Sequence, residues 1–115
     1  MTTVLIHNAD WPAAQPVDRH RVLSGAPETR TLVLHRDTRV ELGLWKATRG
    51  EFTTVRQGCV EFITIESGRG QLIHDNGEVI ELRPDTVVVL EDGWAGRWIV
   101  EETIVKTYAI ISSDS

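Results

Sequence analysis

Cysteine is almost absent from this sequence, and long apolar runs are missing altogether. The one cysteine, Cys59, leaves no partner for an intrachain disulfide, which is consistent with a reducing compartment. No apolar run approaches the roughly 20 residues that a membrane helix requires, and the first residues do not have the charged and apolar regions of a secretion signal. We therefore expect a cytoplasmic protein with no membrane partner.

Basic residues are also scarce. The chain has 12 Lys and Arg against 17 Asp and Glu, which gives a formal net charge of −5. Binding to nucleic acid needs a basic face that neutralises phosphates, and the short cluster Arg19-His20-Arg21 does not supply one. The composition predicts no nucleic-acid partner.

What the sequence does contain is a series of short β-type segments separated by turns. An irregular N-terminal arm of about 30 residues contains three prolines and possible short strands at residues 4–6 and 21–23. Further strands are predicted at residues 32–34, 40–46, 52–56, 60–66, 71–74, 79–82, 86–90, 97–100 and 103–111. Many short strands at close spacing predict a sandwich or barrel. An immunoglobulin-type sandwich normally needs two cysteines, so a barrel formed by about residues 31–111, within one domain of residues 1–115, is favoured.

Local patterns predict details of these strands. Turns at residues 67–70 and 75–78 indicate two hairpins, and the Asn76-Gly77 pair in the second is typical of a type I′ turn. Residues 86–90 form an apolar run, as expected of a strand buried on both faces. Residues 40–46 alternate as a half-buried strand does, with the apolar residues Val40, Leu42 and Leu44 on one face and Glu41, Gly43 and Trp45 on the other.

One carboxylate stands on an otherwise apolar strand face. Because side chains alternate along a strand, Glu61 shares a face with Cys59, Ile63 and Ile65. A carboxylate there is costly unless it is hydrogen-bonded, ion-paired or bound to a cation. Two interpretations remain open: a ligand-binding or catalytic carboxylate in a barrel mouth, or a structural acid tied to a neighbouring Arg, Lys or Tyr.

Possible partners of this carboxylate lie near the C-terminus. Trp94, Arg97 and Trp98 are close in sequence, and Lys106 and Tyr108 share one face of the last strand. Tryptophan and arginine together often line sites for planar or anionic groups. Alternatively, the tryptophans fill the core or a dimer interface, and Lys106 and Tyr108 lie exposed on an edge strand.

Several motifs resemble those of cupins. Glu61 is followed seven positions later by Gly68, as at the end of the first cupin motif, and residues 83–93 are similar to the second motif. Residues 93–98 and 105–108, with Gly43-Leu-Trp45 and Gly50-Glu-Phe52, resemble the small cupins related to (S)-ureidoglycine aminohydrolase and to ethanolamine-utilisation cupins. The likeness covers roughly residues 40–111 and implies a double-stranded β-helix jelly roll.

The departures from that pattern concern the metal ligands. Where the family has its His-X-His pair, this chain has Thr54 and Arg56, or Val55 and Gln57, and residues 96–98 contain no histidine. A metal site needs three or four converging N or O ligands, whereas the histidines of this chain show no paired spacing: His7, His20, His35 and His74, the last at an expected exposed hairpin tip. We expect no metal and no cofactor.

Three functions fit these features of the sequence. The first is a metal-independent cupin that binds a small polar or anionic metabolite, with Arg56, Arg97 and Lys106 supplying charge and the tryptophans stacking surface. The second is an enzyme that acts on small nitrogenous metabolites, by resemblance to ureidoglycine aminohydrolase. If it is an isomerase or lyase without a metal, Glu61 and Tyr108 are the expected acid/base pair. The third is a structural or regulatory module whose barrel is filled by side chains.

A homodimer is expected in each case. Edge strands need cover, the cupins that this chain resembles usually pair, and two-fold dimers are the commonest assembly. The apolar residues 4–6 could form a strand that docks or exchanges at the interface.

Overall fold

The computed structural model describes residues 1–113 and confirms the predicted all-β, cupin-type architecture. Two 3-10 turns, at Ile6–Asn8 and Arg19–Arg21, precede or interrupt the strands. The strands of this part of the chain are β1 (Gln15–Pro16), β2 (Val22–Ser24), β3 (Glu28–Arg36), β4 (Val40–Ala47), β5 (Gly50–Val55), β6 (Cys59–His74), β7 (Val79–Leu82), β8 (Val87–Leu90) and β9 (Ala95–Ser112).

Two long antiparallel strands, β6 and β9, run through both layers of the curled sheet. The halves that pair with β8 and β4 belong to one layer, and the halves that pair with β7 and β5 belong to the other. The C-terminal half of β9 pairs with β4, and its N-terminal half pairs with β5. Along the other side of β9 runs β6, which also pairs with β8 near its start and with β7 near its end. The two layers face each other, with the site described below between them.

The predicted hairpin at residues 67–70 is wrong, because β6 continues through these residues as a bulged strand. The register with β9 shifts between Ile65 and Gly70. Gly68 has φ +92°, and a Cβ there would lie 2.1 Å from the Thr103 carbonyl oxygen. Glycine therefore serves a bulge and a close backbone approach here. The two strands predicted at residues 97–100 and 103–111 are likewise one strand, β9.

The second predicted hairpin is confirmed, although its turn type is not. The Glu78 carbonyl accepts from the His74 amide, and the Gly77 amide donates to the His74 carbonyl. Within the turn only Gly77 has positive φ, at 95°, so the loop is a type I turn closed by a left-handed glycine. His74 at its base is half-buried against Trp94 rather than exposed.

Two other expectations fail at the edges of the fold. Residues 4–6 do not form a strand, and the N-terminal arm is attached instead through β1, which pairs with β3. β8 is not buried on both faces: Val88 and Leu90 point into the core, whereas Val87 and Val89 are exposed. Among the described residues, no helix has the length and apolarity needed to cross a membrane.

Candidate functional site

The Glu61 carboxylate lies between the layers and is held by two basic side chains. Alternation along β6 points Glu61 inward with Ile63 and Ile65, and only 1% of its surface is exposed. Arg56 Nε donates to Oε1 at 2.7 Å, and Lys106 Nζ donates to Oε2 at 2.6 Å. The predicted inward orientation is confirmed, and both carboxylate oxygens have charge-assisted partners.

Lys106 is enclosed by aromatic rings as well as by Glu61. It faces inward from β9, beside its register partner Trp45 on β4. Its Nζ lies 4.4 Å from the ring centroid of Trp45, 5.0 Å from that of Trp98 and 5.6 Å from that of Tyr108. Ring faces at these distances attract an ammonium group.

Burial and charge act in opposite directions on the two buried ionisable groups. Burial would raise the pKa of Glu61, but the charges of Lys106 and Arg56 outweigh it and hold that pKa below its usual value. Burial lowers the pKa of the Lys106 amine, and the neighbouring Glu61 carboxylate offsets only part of this effect. Glu61 is therefore ionised at neutral pH, and Lys106 loses its proton more readily than an exposed lysine does.

A second carboxylate, Glu41, holds the Tyr108 hydroxyl. The hydroxyl donates to Glu41 Oε2 at 2.7 Å, and Arg36 Nε donates to Oε1 at 2.9 Å. Burial, followed by the bond to Glu41, raises the pKa of Tyr108 far above its usual value. Gly43 makes room for this ring, because a Cβ at that position would lie 2.8 Å from the Tyr108 hydroxyl.

These groups line one cavity of about 640 Å³, a size that accommodates a small metabolite. Arg21 reaches it from the N-terminal arm, where its Nε and Nη2 both donate to the Thr53 carbonyl, at 3.0 and 2.8 Å. The lining combines basic, acidic and aromatic side chains: Arg21, Arg56 and Lys106; Glu41 and Glu61; Trp45, Phe52, Trp98 and Tyr108.

Most of the site residues predicted from sequence meet in this cavity, and two lie elsewhere. Glu61, Tyr108, Arg56, Trp98 and Lys106 line it. Trp94 packs instead against His74, with ring centroids 5.3 Å apart. The Nε atom of Arg97 lies 2.9 Å from a carboxylate oxygen of Glu51, an ion pair that does not have hydrogen-bond geometry.

Five charged or aromatic residues of the cavity lining were not predicted as site residues from the sequence, for two reasons. His20 and Arg21 belong to an arm with no regular pattern, and their cluster is notable in the sequence only as a possible nucleic-acid contact. Glu41, Trp45 and Phe52 lie on strands whose period is visible, but the inward face cannot be chosen from alternation alone. The sequence signal that could have identified the inward face of β4 is Gly43, which lies between Glu41 and Trp45 on one face and indicates close packing there.

The residues around Glu61 do not fit a divalent metal ion. Both of its oxygens bind basic side chains, which cannot act as metal ligands while they carry a proton and which repel a cation. Within residues 1–113, no three His, Cys, Asp or Glu side chains are grouped so that they could hold a metal.

Several proteins of known structure have a fold similar to that of this chain. The chain shares 24% identity with a Pseudomonas syringae protein of unknown function (TM-score 0.77), covering 90% of this chain and 45% of that one. It shares 14% with the Clostridium difficile EutQ protein (TM-score 0.69; 87% and 78% covered) and 16% with ectoine synthase from P. lautus (TM-score 0.66; 84% and 68% covered). These likenesses concern the fold alone, and this chain spans under half of the Pseudomonas protein.

Of the two sequence comparisons, the one with protein families gives a match and the one with curated proteins does not. No curated protein sequence matches the chain. The sequence model of the EutQ-like cupin domain matches residues 34–108, which is more than half of the chain and includes most of the cavity lining. This protein therefore belongs to the EutQ-like cupin family.

Proposed function

We propose that this protein binds a small anionic metabolite in the cavity between its layers, without a metal ion. The observation that carries the proposal is the composition of the cavity lining. Three basic side chains, Arg21, Arg56 and Lys106, face two carboxylates there, although acidic residues outnumber basic ones in the whole chain. An excess of basic groups in a partly enclosed cavity attracts anions.

The two arginines are suited to hold a carboxylate or a similar group. Each is already fixed by a bond of its own, Arg21 to the Thr53 carbonyl and Arg56 to Glu61. A guanidinium has five N–H donors, so each retains donors for a ligand, and little side-chain entropy is lost on binding. Trp45 and Phe52 on the cavity wall offer ring faces to a planar part of the ligand.

The test is a thermal-shift screen of the wild-type protein with small carboxylates, ureides, amino acids and sugars, followed by titration calorimetry of the hits. We expect anionic compounds to stabilise the protein and Arg21→Gln to weaken their binding at least tenfold. Arg97→Gln is the matched control, because Arg97 is paired with Glu51 outside the cavity. Near-UV circular dichroism checks that both variants are folded.

Two results would contradict the proposal. If none of the four compound classes stabilises the protein, the result favours the third function expected from the sequence, a structural or regulatory module without a small ligand. Equal affinity of the wild-type and Arg21→Gln proteins for every hit would place the binding site elsewhere.

A second candidate function is catalysis on a small nitrogenous metabolite, by resemblance to ureidoglycine aminohydrolase. Its support is that Glu61 and Tyr108, the expected acid/base pair, line the same cavity. Each is bonded to a different group, Glu61 to Lys106 and Tyr108 to Glu41, so a substrate would have to reach them separately. Turnover of ureido compounds that is unchanged in a folded Glu61→Gln variant would dismiss this pair.

A further inference from the structure

Lys106 places a primary amine in the wall of the cavity. Its side chain is only 4% exposed, whereas lysine is almost never fully buried unless it is paired. An amine is a nucleophile as well as a carrier of charge, and lysine attacks carbonyl carbons in its unprotonated form. The surroundings of Nζ therefore decide whether Lys106 can also act as a nucleophile.

These surroundings favour loss of the ammonium proton. Aromatic rings displace water from Nζ, although their faces also attract its charged form; they belong to Trp45, Trp98 and Tyr108, with centroids at 4.4, 5.0 and 5.6 Å. Burial lowers the pKa of the Lys106 amine more than the Glu61 carboxylate raises it, and the charge of Arg56 lowers it further. A lysine that is desolvated beside another cation has the environment in which lysines form Schiff bases.

The Glu61 carboxylate is placed to move the protons of such a reaction. Lys106 Nζ donates to Glu61 Oε2 at 2.6 Å, so the proton that the amine must lose has an acceptor in direct contact. Once it carries that proton, the same carboxyl group can return it to the oxygen that leaves the carbonyl carbon. Arg56 Nε, at 2.7 Å from Oε1, holds the carboxylate in this orientation.

The neighbouring arginine indicates which carbonyl compounds fit. The Arg56 guanidinium and the Lys106 amine bind the two oxygens of one carboxylate, that of Glu61, so one small ligand can contact both groups. In a 2-oxo acid the carbonyl carbon is bonded directly to the carboxylate. A 2-oxo acid whose carboxylate takes the remaining donors of Arg56 therefore brings its carbonyl carbon towards Nζ.

We propose that Lys106 forms a Schiff base with a 2-oxo acid bound in the cavity. The amine nitrogen forms a bond to the carbonyl carbon while its proton passes through Glu61 to the carbonyl oxygen, and the resulting carbinolamine loses water. A protonated lysine and a 2-oxo acid anion thus give an iminium carboxylate and one water molecule, and no oxidant or reductant is consumed. The inference rests on the anion binding proposed above and names the class of anion.

The test is trapping of the iminium with sodium cyanoborohydride, which reduces it to a stable secondary amine. Folded wild-type protein is incubated with pyruvate and the reductant, and the adduct is measured by intact mass and located by peptide mapping. The chain has two lysines, Lys46 and Lys106, and we expect the adduct on Lys106. Lactate has the same carboxylate but no carbonyl group, so it should compete for the cavity and slow the labelling.

Two variants accompany the wild-type protein. Lys106→Met should lose the adduct. Lys46→Met is the matched control and should be labelled like the wild-type protein, because Lys46 lies over Trp11 of the N-terminal arm, 4.8 Å from Nζ to the ring centroid, and does not line the cavity. Peptide mapping of the wild-type protein identifies the labelled lysine even if Lys106→Met does not fold.

Three results would overturn the inference. These are the absence of a Lys106 adduct at pyruvate concentrations that saturate binding in calorimetry, equal labelling of Lys46 and Lys106, and labelling of Lys106 that lactate does not slow although it binds. If pyruvate does not bind at all, the 2-oxo acid is the wrong ligand class. Binding of other anions in the thermal-shift screen then shows that the proposed function stands without the Schiff base, so the two failures are distinguishable.

Discussion

Removing one partner of the buried Glu61–Lys106 pair should cost about as much stability as removing both. Lys106→Met leaves Glu61 buried with Arg56 as its one remaining partner. Glu61→Gln leaves the Lys106 amine among aromatic rings without a carboxylate. The double variant removes both groups, and the partly exposed Arg56 can then turn towards water.

The magnitude follows from the burial of the two groups. Breaking a buried pair by removing one partner costs about 3–5 kcal/mol. Lys106→Met should lie near the lower end of that range, at about 3 kcal/mol, because Arg56 still holds one oxygen of Glu61. We expect a similar cost for Glu61→Gln and for the double variant. The cost of the double variant is then smaller than the sum of the two single costs by a coupling energy of about 2–3 kcal/mol.

Urea denaturation at pH 7, followed by tryptophan fluorescence, measures these costs. Trp45 and Trp98 are suitable reporters because both rings lie within 5.0 Å of Lys106 Nζ. The control is Arg69→Met, which removes two exposed ion pairs, with Glu101 and Glu102, and should cost less than about 1 kcal/mol. Additive costs of the two single variants, or single costs no larger than the control, would refute the reasoning.

Three further predictions concern pH and packing. The pKa of Glu61 is lowered in the folded state. Its contribution to the free energy of unfolding is therefore complete above the unfolded-state pKa and is lost as the pH falls through the lower folded-state pKa. Urea melts from pH 7 to pH 3 should show a steeper loss of stability in the wild-type protein than in Glu61→Gln. Tyr108 is the only tyrosine, and its raised pKa predicts no tyrosinate absorbance at 295 nm between about pH 10 and pH 11 while the protein is folded. Glu41→Gln should bring the ionisation to lower pH, and an ordinary titration in the wild-type protein would contradict the burial and hydrogen bonding of this hydroxyl. Gly43→Ala should cost about 2–3 kcal/mol in urea melts, because its Cβ would lie 2.5 Å from the Leu32 carbonyl oxygen and 2.8 Å from the Tyr108 hydroxyl. Gly58→Ala, whose Cβ would meet no atom within 4 Å, should cost about 1–2 kcal/mol, and equal losses would contradict the close packing at Gly43.

Features with a two-residue period could be predicted from the sequence. Alternation along β6 identified Glu61 as an inward carboxylate, and its expected need for a hydrogen bond, an ion pair or a cation is met by Arg56 and Lys106. Alternation in β4 was equally visible, but either face could have been the inner one. The face with Glu41, Gly43 and Trp45 points inward, because Trp45 packs beside Lys106 of the adjacent strand.

Turn chemistry was a less specific guide. Ser67, Gly68 and Gly70 have the residue types of a hairpin, yet they form bulges within one strand. Bulges and turns both need a residue with positive φ and little side-chain bulk. The choice between them depends on β9, which pairs with both sides of the bulge from far along the sequence: Lys106 lies opposite Ile65, and Val100 lies opposite Gly70.

The sequence by itself determined the all-β architecture, the cupin resemblance and the inward carboxylate, since strand propensity, turns and alternation are local properties of the chain. The tertiary structure decided which side chains meet. Arg21 from the arm, Arg56 after β5 and Lys106 on β9 share one cavity only because the sheet curls on itself. Contacts between residues so distant in sequence depend on strand pairing and on the packing of the layers, and neither has a local signature.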